Sequence, residues 1–283
     1  MNDKQILIIG ANGQLGRALQ KQYPGAVAVD SNVLDITDRA AVENYHWRGI
    51  KIIINAAAYT NVDGAETSDG RVVAWKVNAT AASYLSQVAK DNDITLIHIS
   101  TDYVFDGTNH NHKEDEPYSP LSVYGESKAA GDIAVFLAPK HYILRTSWVI
   151  GDGNNFVRTM LGLAQKGINP SVVNDQIGIL TFTSELVRTI NHLLSNSLPF
   201  GTYNATNDGE PASWADIARA IFKIAGFNTA VTDLTTEEYY KGKAGIAPRP
   251  LNSVMDLTKL HLTGFKSQDW YNDLESYIKQ EVA

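Results

Sequence analysis

Tyr124 and Lys128, in the run Tyr124-Gly-Glu-Ser-Lys128, stand four residues apart, a spacing that lifts both side chains from one face of a helix. An ammonium held beside a phenol favours the phenolate, so the pair predicts a tyrosine that trades a proton near neutral pH instead of at about 10. Tyr124 is therefore a candidate general acid. The same spacing also arises by chance on solvated helices, so it needs a second site to give it meaning. That site lies at the start of the chain, where Gly10-Ala-Asn12-Gly13-Gln14-Leu15-Gly16 follows the apolar run Gln5-Ile-Leu-Ile-Ile9. Between a strand and a helix, free backbone N–H groups and the helix dipole can take a pyrophosphate. The spacing is Gly-x-x-Gly-x-x-Gly, a variant of the Gly-x-Gly-x-x-Gly loop of many dehydrogenases.

Asp30 ends the second apolar run, twenty positions after Gly10. A carboxylate there can bond both hydroxyls of an adenosine ribose and would repel a 2′-phosphate, which leans toward NADH over NADPH. Asn55-Ala56-Ala57-Ala58 follows the third run, and small side chains there let a dinucleotide approach the backbone. His98-Ile-Ser-Thr101-Asp102-Tyr103 ends the fourth run at the carboxyl edge of the sheet, where ligands bind in open α/β folds. Thr101 can donate its hydroxyl to a carbonyl oxygen.

Short apolar runs at 5–9, 26–30, 51–55, 95–100 and 142–145 alternate with helical stretches at 14–22, 75–92 and 124–137. That alternation predicts an α/β fold, a Rossmann-type doubly wound parallel sheet with a smaller C-terminal α/β substrate domain. Residues 1–150, completed by about 180–208, form the expected dinucleotide domain, and 151–179 with 209–283 the substrate-binding domain. Within these, helices are expected at 156–166, 184–194, 213–225 and 267–282, and strands at 171–174 and 201–205. With 44% hydrophobic and 19% charged residues the chain reads as a soluble globular protein. Its 24 basic and 31 acidic residues give a net charge of −7 with no basic stripe, so nucleic acid is not an expected partner. Cysteine is absent, which rules out disulfides and thiolate chemistry. No signal peptide is evident and no apolar run approaches the roughly 18 residues of a membrane span, so a cytoplasmic location with no membrane partner is expected. The sequons at Asn78 and Asn204 read as accidents.

Taken together, these segments resemble the extended short-chain dehydrogenase/reductase superfamily. With Asp35-Ile36-Thr, Asn55-Ala-Ala-Ala-Tyr-Thr-Asn-Val62-Asp, Ser100-Thr-Asp-Tyr-Val-Phe-Asp-Gly107, Leu144-Arg-Thr-Ser-Trp148, Asn155-Phe-Val, Asp175-Gln-Ile-Gly178 and Arg249-Pro-Leu-Asn-Ser253, the chain is similar, over nearly its whole length, to the dTDP-4-dehydrorhamnose reductases within it. The resemblance implies NADPH- or NADH-dependent reduction of a 4-keto sugar nucleotide. It implies Thr101, Tyr124 and Lys128 as the catalytic set: Tyr124 protonating the C4 alkoxide, Lys128 holding the nicotinamide ribose and lowering the tyrosine pKa, and Thr101 polarising the carbonyl. Gly10, Asn12, Gly13, Gln14, Leu15, Gly16, Asp30, Asp35, Ile36, Ala56, Ala57 and Ala58 would line the cofactor with Tyr124 and Lys128. Val62, Thr101, Asp102, Tyr103, Tyr124, Trp148, Asn155 and Arg249 would face the sugar nucleotide, Trp148 as a flat apolar wall and Arg249 as the partner of the diphosphate.

Two positions depart from the family pattern. Some members carry an acid after the third glycine that binds a divalent metal between subunits, whereas this chain has Arg17, which speaks against Mg2+ and leaves a monomer or a homodimer. Gly178-Ile-Leu-Thr181 replaces the usual Gly-x-Pro-Thr. The loop His110-Asn-His112-Lys-Glu114-Asp115-Glu116 has possible ligands but no second cluster, and is read as a solvated loop with no metal. A dehydratase would need a carboxylic acid after Thr101-Asp102, where this chain has Tyr103. The alternatives are another sugar-nucleotide reductase or epimerase of the superfamily, or a non-catalytic subunit resembling the regulatory β subunit of methionine adenosyltransferase.

Overall fold

The computed structural model describes residues 2–282. The chain opens with β1 (Ile6–Ile9), α1 (Gln14–Gln22), β2 (Val27–Val29), α2 (Arg39–Asn44), β3 (Ile52–Asn55), α3 (Ser68–Trp75) and α4 (Ala81–Asp91). It continues through β4 (Thr95–Thr101), α5 (Val123–Val135), β5 (His141–Thr146), β6 (Val149–Ile150), α6 (Phe156–Gln165), β7 (Ser171–Val173), β8 (Ile177–Gly178) and β9 (Thr181–Phe182). The remainder is α7 (Thr183–Ser195), β10 (Gly201–Asn204), β11 (Ala212–Ser213), α8 (Trp214–Ala225), β12 (Thr232–Leu234), α9 (Thr236–Tyr240), α10 (Thr258–His261) and α11 (Trp270–Val282).

Six strands form one parallel sheet in the order β10-β5-β4-β3-β1-β2. Alternation along each strand divides its side chains between two apolar layers. Leu7, Ile9, Ile53 and Leu96 pack against Val42 of α2 and Ala81, Leu85 and Val88 of α4. Ile6, Ile8, Ile54 and Ile97 face Leu15 and Leu19 of α1 and Leu186 and Ile190 of α7. Helices thus cover both faces, and the winding reverses between β1 and β3, so the carboxyl ends of those strands open a crevice. A separate apolar cluster joins Val157 and Leu161 of α6, Ile217, Ile221 and Phe222 of α8, and Leu274 and Ile278 of α11. Three two-stranded ladders, β11-β8, β12-β7 and β6-β9, edge that cluster. Among the described residues no helix is long and apolar enough to cross a membrane.

The helix expected over 75–92 is in fact two. Thr67 caps α3 by accepting from the Gly70 N–H at 3.1 Å, so helix starts at Ser68. Residues 76–80 then form a π-helical turn before α4. The turn brings Asn78 inside, where its Oδ1 accepts from the Tyr59 N–H (2.9 Å) and its Nδ2 donates to Ser127 Oγ (2.9 Å). Asn78 and Asn204, the two sequon asparagines, are both buried.

Candidate active site

The glycine loop folds over the end of β2, with Gly10 and Ala11 donating backbone N–H groups to Val29 O at 3.0 and 3.1 Å. Gly10 has φ +85°, and a Cβ on it would lie 2.7 Å from Ala57 N; on Gly16 a Cβ would lie 2.1 Å from Gly10 O. Neither position admits a side chain. Gly13 caps α1 without a side-chain hydrogen bond, so first-turn N–H groups stay open to an acceptor from outside, as a pyrophosphate requires. Beyond the loop, Asn12 Nδ2 donates to Asp30 Oδ2 at 2.8 Å. Asp30 is half-buried, and the Asn32 N–H, followed by Asn12, holds its carboxyl below the usual range. Asp35 makes a turn with Thr37 and Ile36 is buried beside it, farther along the same edge.

A cleft of ≈ 640 Å³ runs from this loop across the ends of β3, β4 and β5. Asn12, Gly13, Gln14, Leu15, Ala56, Ala58, Val62, Thr101, Asp102, Tyr103, Tyr124, Lys128 and Trp148 line it. Ser122 caps α5 by accepting from the Gly125 N–H at 3.2 Å, which starts the helix one residue before Tyr124. Tyr124 is buried, with the Tyr103 ring edge-on at 5.6 Å. Thr101 Oγ1 donates to Asp102 Oδ1 at 2.9 Å and accepts from the Tyr103 N–H at 3.2 Å. Lys128 Nζ donates to Ile99 O at 2.6 Å.

The electrostatics correct one expectation. Burial pushes the Tyr124 phenol up, with Asp102 and Asp132 adding to that and only the Thr101 hydroxyl opposing it. Lys128 does not lower it. The ammonium is itself pulled down to about 8 by burial, against the pull of Asp132. The four-residue spacing brings the two groups close, but desolvation is the larger effect here. Tyr124 is therefore a protonated phenol at neutral pH, the state a proton donor needs. Burial likewise raises the Asp102 carboxyl to about 6, the Ser253 and Thr101 hydroxyls opposing.

On the other wall, Trp148 stacks on Trp214 with centroids 3.8 Å apart and planes at 20°. Trp148 has φ +45°, a conformation that costs a non-glycine residue roughly 1–3 kcal/mol and concentrates at functional sites. Its indole lies over Gly178, where a Cβ would meet it at 2.8 Å. The altered Gly178-Ile-Leu-Thr181 segment is thus the floor under the tryptophan. Trp214 lines the cleft as well and was not foreseen, because it comes from α8; its only sequence signal is its place just after the capping residue Ser213.

Two expected substrate residues are engaged elsewhere. Asn155 caps α6, and its amide donates to Gly151 O and Tyr277 Oη at 2.8 Å. Arg249 pairs with Asp63 at 2.9 Å and donates to Ala247 O at 3.0 Å. Arg17 does reach the cleft, donating to Asn12 O at 2.5 Å and pairing with Asp152 at 3.5 Å. His112 corrects the solvated-loop reading: it is buried, stacked on Phe105 at 4.6 Å, with Nδ1 2.9 Å from Glu116. Among the described residues no group of side chains is arranged to hold a metal ion. A second cleft of ≈ 730 Å³, between α1, α7 and α11, contains none of the catalytic candidates.

Residues 4–283 match the family model described as RmlD substrate binding domain. The chain is 38% identical to a dTDP-4-dehydrorhamnose reductase of Aggregatibacter actinomycetemcomitans, over 96% of this chain and 97% of that one. It is 39% identical to a dTDP-4-keto-6-deoxy-D-glucose reductase of Streptomyces niveus, over 78% of each. The crystal structure of a dTDP-4-dehydrorhamnose reductase from Bacillus anthracis in complex with NADP superposes with a TM-score of 0.89 at 37% identity, covering 98% of both chains.

Proposed function

The chain belongs to the dTDP-4-dehydrorhamnose reductase family, and from that premise we propose which of its residues carry the reaction. The enzyme reduces the C4 ketone of dTDP-4-dehydro-L-rhamnose to the alcohol of dTDP-L-rhamnose, using NADPH or NADH. The glycine cradle, closed to any Cβ and with open helix N–H groups, fits a dinucleotide pyrophosphate. Bound there, the nicotinamide supplies the hydride that adds to C4. As the carbonyl π pair moves onto oxygen, the Tyr124 hydroxyl gives its proton to that oxygen, and the Thr101 hydroxyl turns from Asp102 to donate to it. Lys128, positively charged at neutral pH, stabilises the phenolate left behind and holds the ribose.

The observation that carries this assignment is the meeting of Thr101, Tyr124 and Lys128 on one wall of the cleft that the glycine loop closes. Trp148 and Trp214 form the opposite apolar wall, suited to the face of a 6-deoxy sugar. Arg249 meets the diphosphate by exchanging Asp63 for it. The nucleotide unit is 1–150 with about 180–208, and 151–179 with 209–283 forms the substrate unit. The test is consumption of NADPH and of NADH by the purified chain on addition of dTDP-4-dehydro-L-rhamnose, with the product configuration read by NMR. Turnover that requires instead the D-configured 4-keto sugar of the Streptomyces relative would move the assignment to that substrate. No turnover with either sugar would refute it.

A further inference from the structure

Behind Lys128 lies a buried chain of side chains that the reaction does not touch. Asn55 ends β3, and its Oδ1 accepts from the Ala57 N–H at 3.2 Å. A backbone N–H can only donate, so this contact fixes which way the amide faces, and Asn55 Nδ2 is left 3.2 Å from His98 Nδ1. His98 is 1% exposed on β4, and burial, aided by Lys128, holds its pKa well below the ordinary value. It is a neutral imidazole. One that accepts at Nδ1 carries its single proton on Nε2. That Nε2 lies 3.4 Å from Lys128 Nζ.

We propose that His98, its tautomer fixed by Asn55, is a positioning residue that aims an N–H at Lys128 and thereby sets how readily Lys128 releases its proton. The inference rests on the reading in which Lys128 serves the reaction. A hydrogen bond donated to the neutral amine favours that form and disfavours the ammonium. Only the charge of Asp132 opposes it, without contact: among the described residues Lys128 forms no ion pair. Asp132, one turn on, is committed to Arg145 at 3.2 Å. The other titratable groups around Lys128 are Tyr124 and Asp132 on α5, Asp102 and Tyr103 after β4, and Arg145 on β5 behind Asp132. All of them stay in place when only His98 is changed. The consequence is a lysine that can return to the amine and take up a proton again within the working pH range, with its supply of Nε2–H set by an asparagine two residues before the backbone that the cofactor approaches.

Two measurements test it. In wild-type protein labelled with 15N-histidine, long-range 1H–15N spectra at neutral and mildly alkaline pH are expected to show His98 with an imine-type Nδ1 and a protonated Nε2. The opposite tautomer, or an imidazolium, overturns the proposal. This readout needs no turnover, so it stands or falls separately from the catalytic assignment. In His98→Leu the alkaline limb of the kcat profile is expected to move up by about one pH unit, because the competing donor is gone. A limb that stays put or moves down in a variant that binds NADPH overturns it. Should the variant fail to fold, the wild-type tautomer decides alone.

Discussion

The Tyr124–Lys128 pair works by a division of charge that differs from simple ammonium-to-phenol tuning. Burial keeps the phenol protonated and brings the lysine to about 8. In the direction of ketone reduction the acid must hold its proton until the alkoxide forms, so a raised phenol is the useful one. Lys128 is charged below its pKa and loses that charge as pH rises through it. Activity is therefore expected to fall above about pH 8, read as kcat at saturating cofactor; a limb at about 10 or above would show a lysine with its ordinary pKa. Asp30 is a second case, half-buried and bonded to Asn12. Replacing it by serine removes a charge that would repel a 2′-phosphate, and the NADPH-to-NADH ratio of kcat/KM is expected to rise roughly tenfold. An unchanged ratio would show that Asp30 does not read the ribose.

The π turn between α3 and α4 exists because Asn78 is drawn inward to bridge the Tyr59 backbone and Ser127 on the catalytic helix. Asn78→Ala leaves the Tyr59 N–H and C=O without their partner, and a loss of about 1–3 kcal/mol in unfolding free energy is expected in urea titrations. A neutral result would mean that water replaces the amide. Apolar periodicity could not reveal this feature. Val72 and Val73 are half exposed on α3, and the inward turn of one asparagine leaves no period of its own. By contrast, five of the six strands of the sheet were legible as apolar runs, most plainly β1, whose four residues are all buried, while the edge strand β2 keeps Val27 exposed. The two-residue strands β6, β8, β9 and β11 are too short to carry any pattern. Thr101 and Tyr124 could be placed because both sit next to a legible boundary, a strand end and a helix cap.

Longer-range associations were the least legible. Trp214 reaches Trp148 across 66 positions of chain, and the pairing of Arg249 with Asp63 spans 186. That ion pair ties the segment before Pro250 to the loop after β3, with Asp63 also accepting from the Ala247 N–H at 3.0 Å. Being partly exposed, it contributes little to stability, about 0–1 kcal/mol. Its larger effect falls on binding if the diphosphate replaces Asp63. Arg249→Ala is then expected to raise KM for the sugar nucleotide at least about tenfold while leaving that for NADPH within a factor of about two. Equal effects on both would make Arg249 a purely structural tie. The central claim, that Tyr124 delivers the proton at C4, is tested most directly by Tyr124→Phe, which keeps the ring and removes only the hydroxyl. With the dissociation constant for NADPH unchanged, kcat is expected to fall by about 10² to 10⁴; a variant that keeps more than about a third of the wild-type kcat would contradict the account.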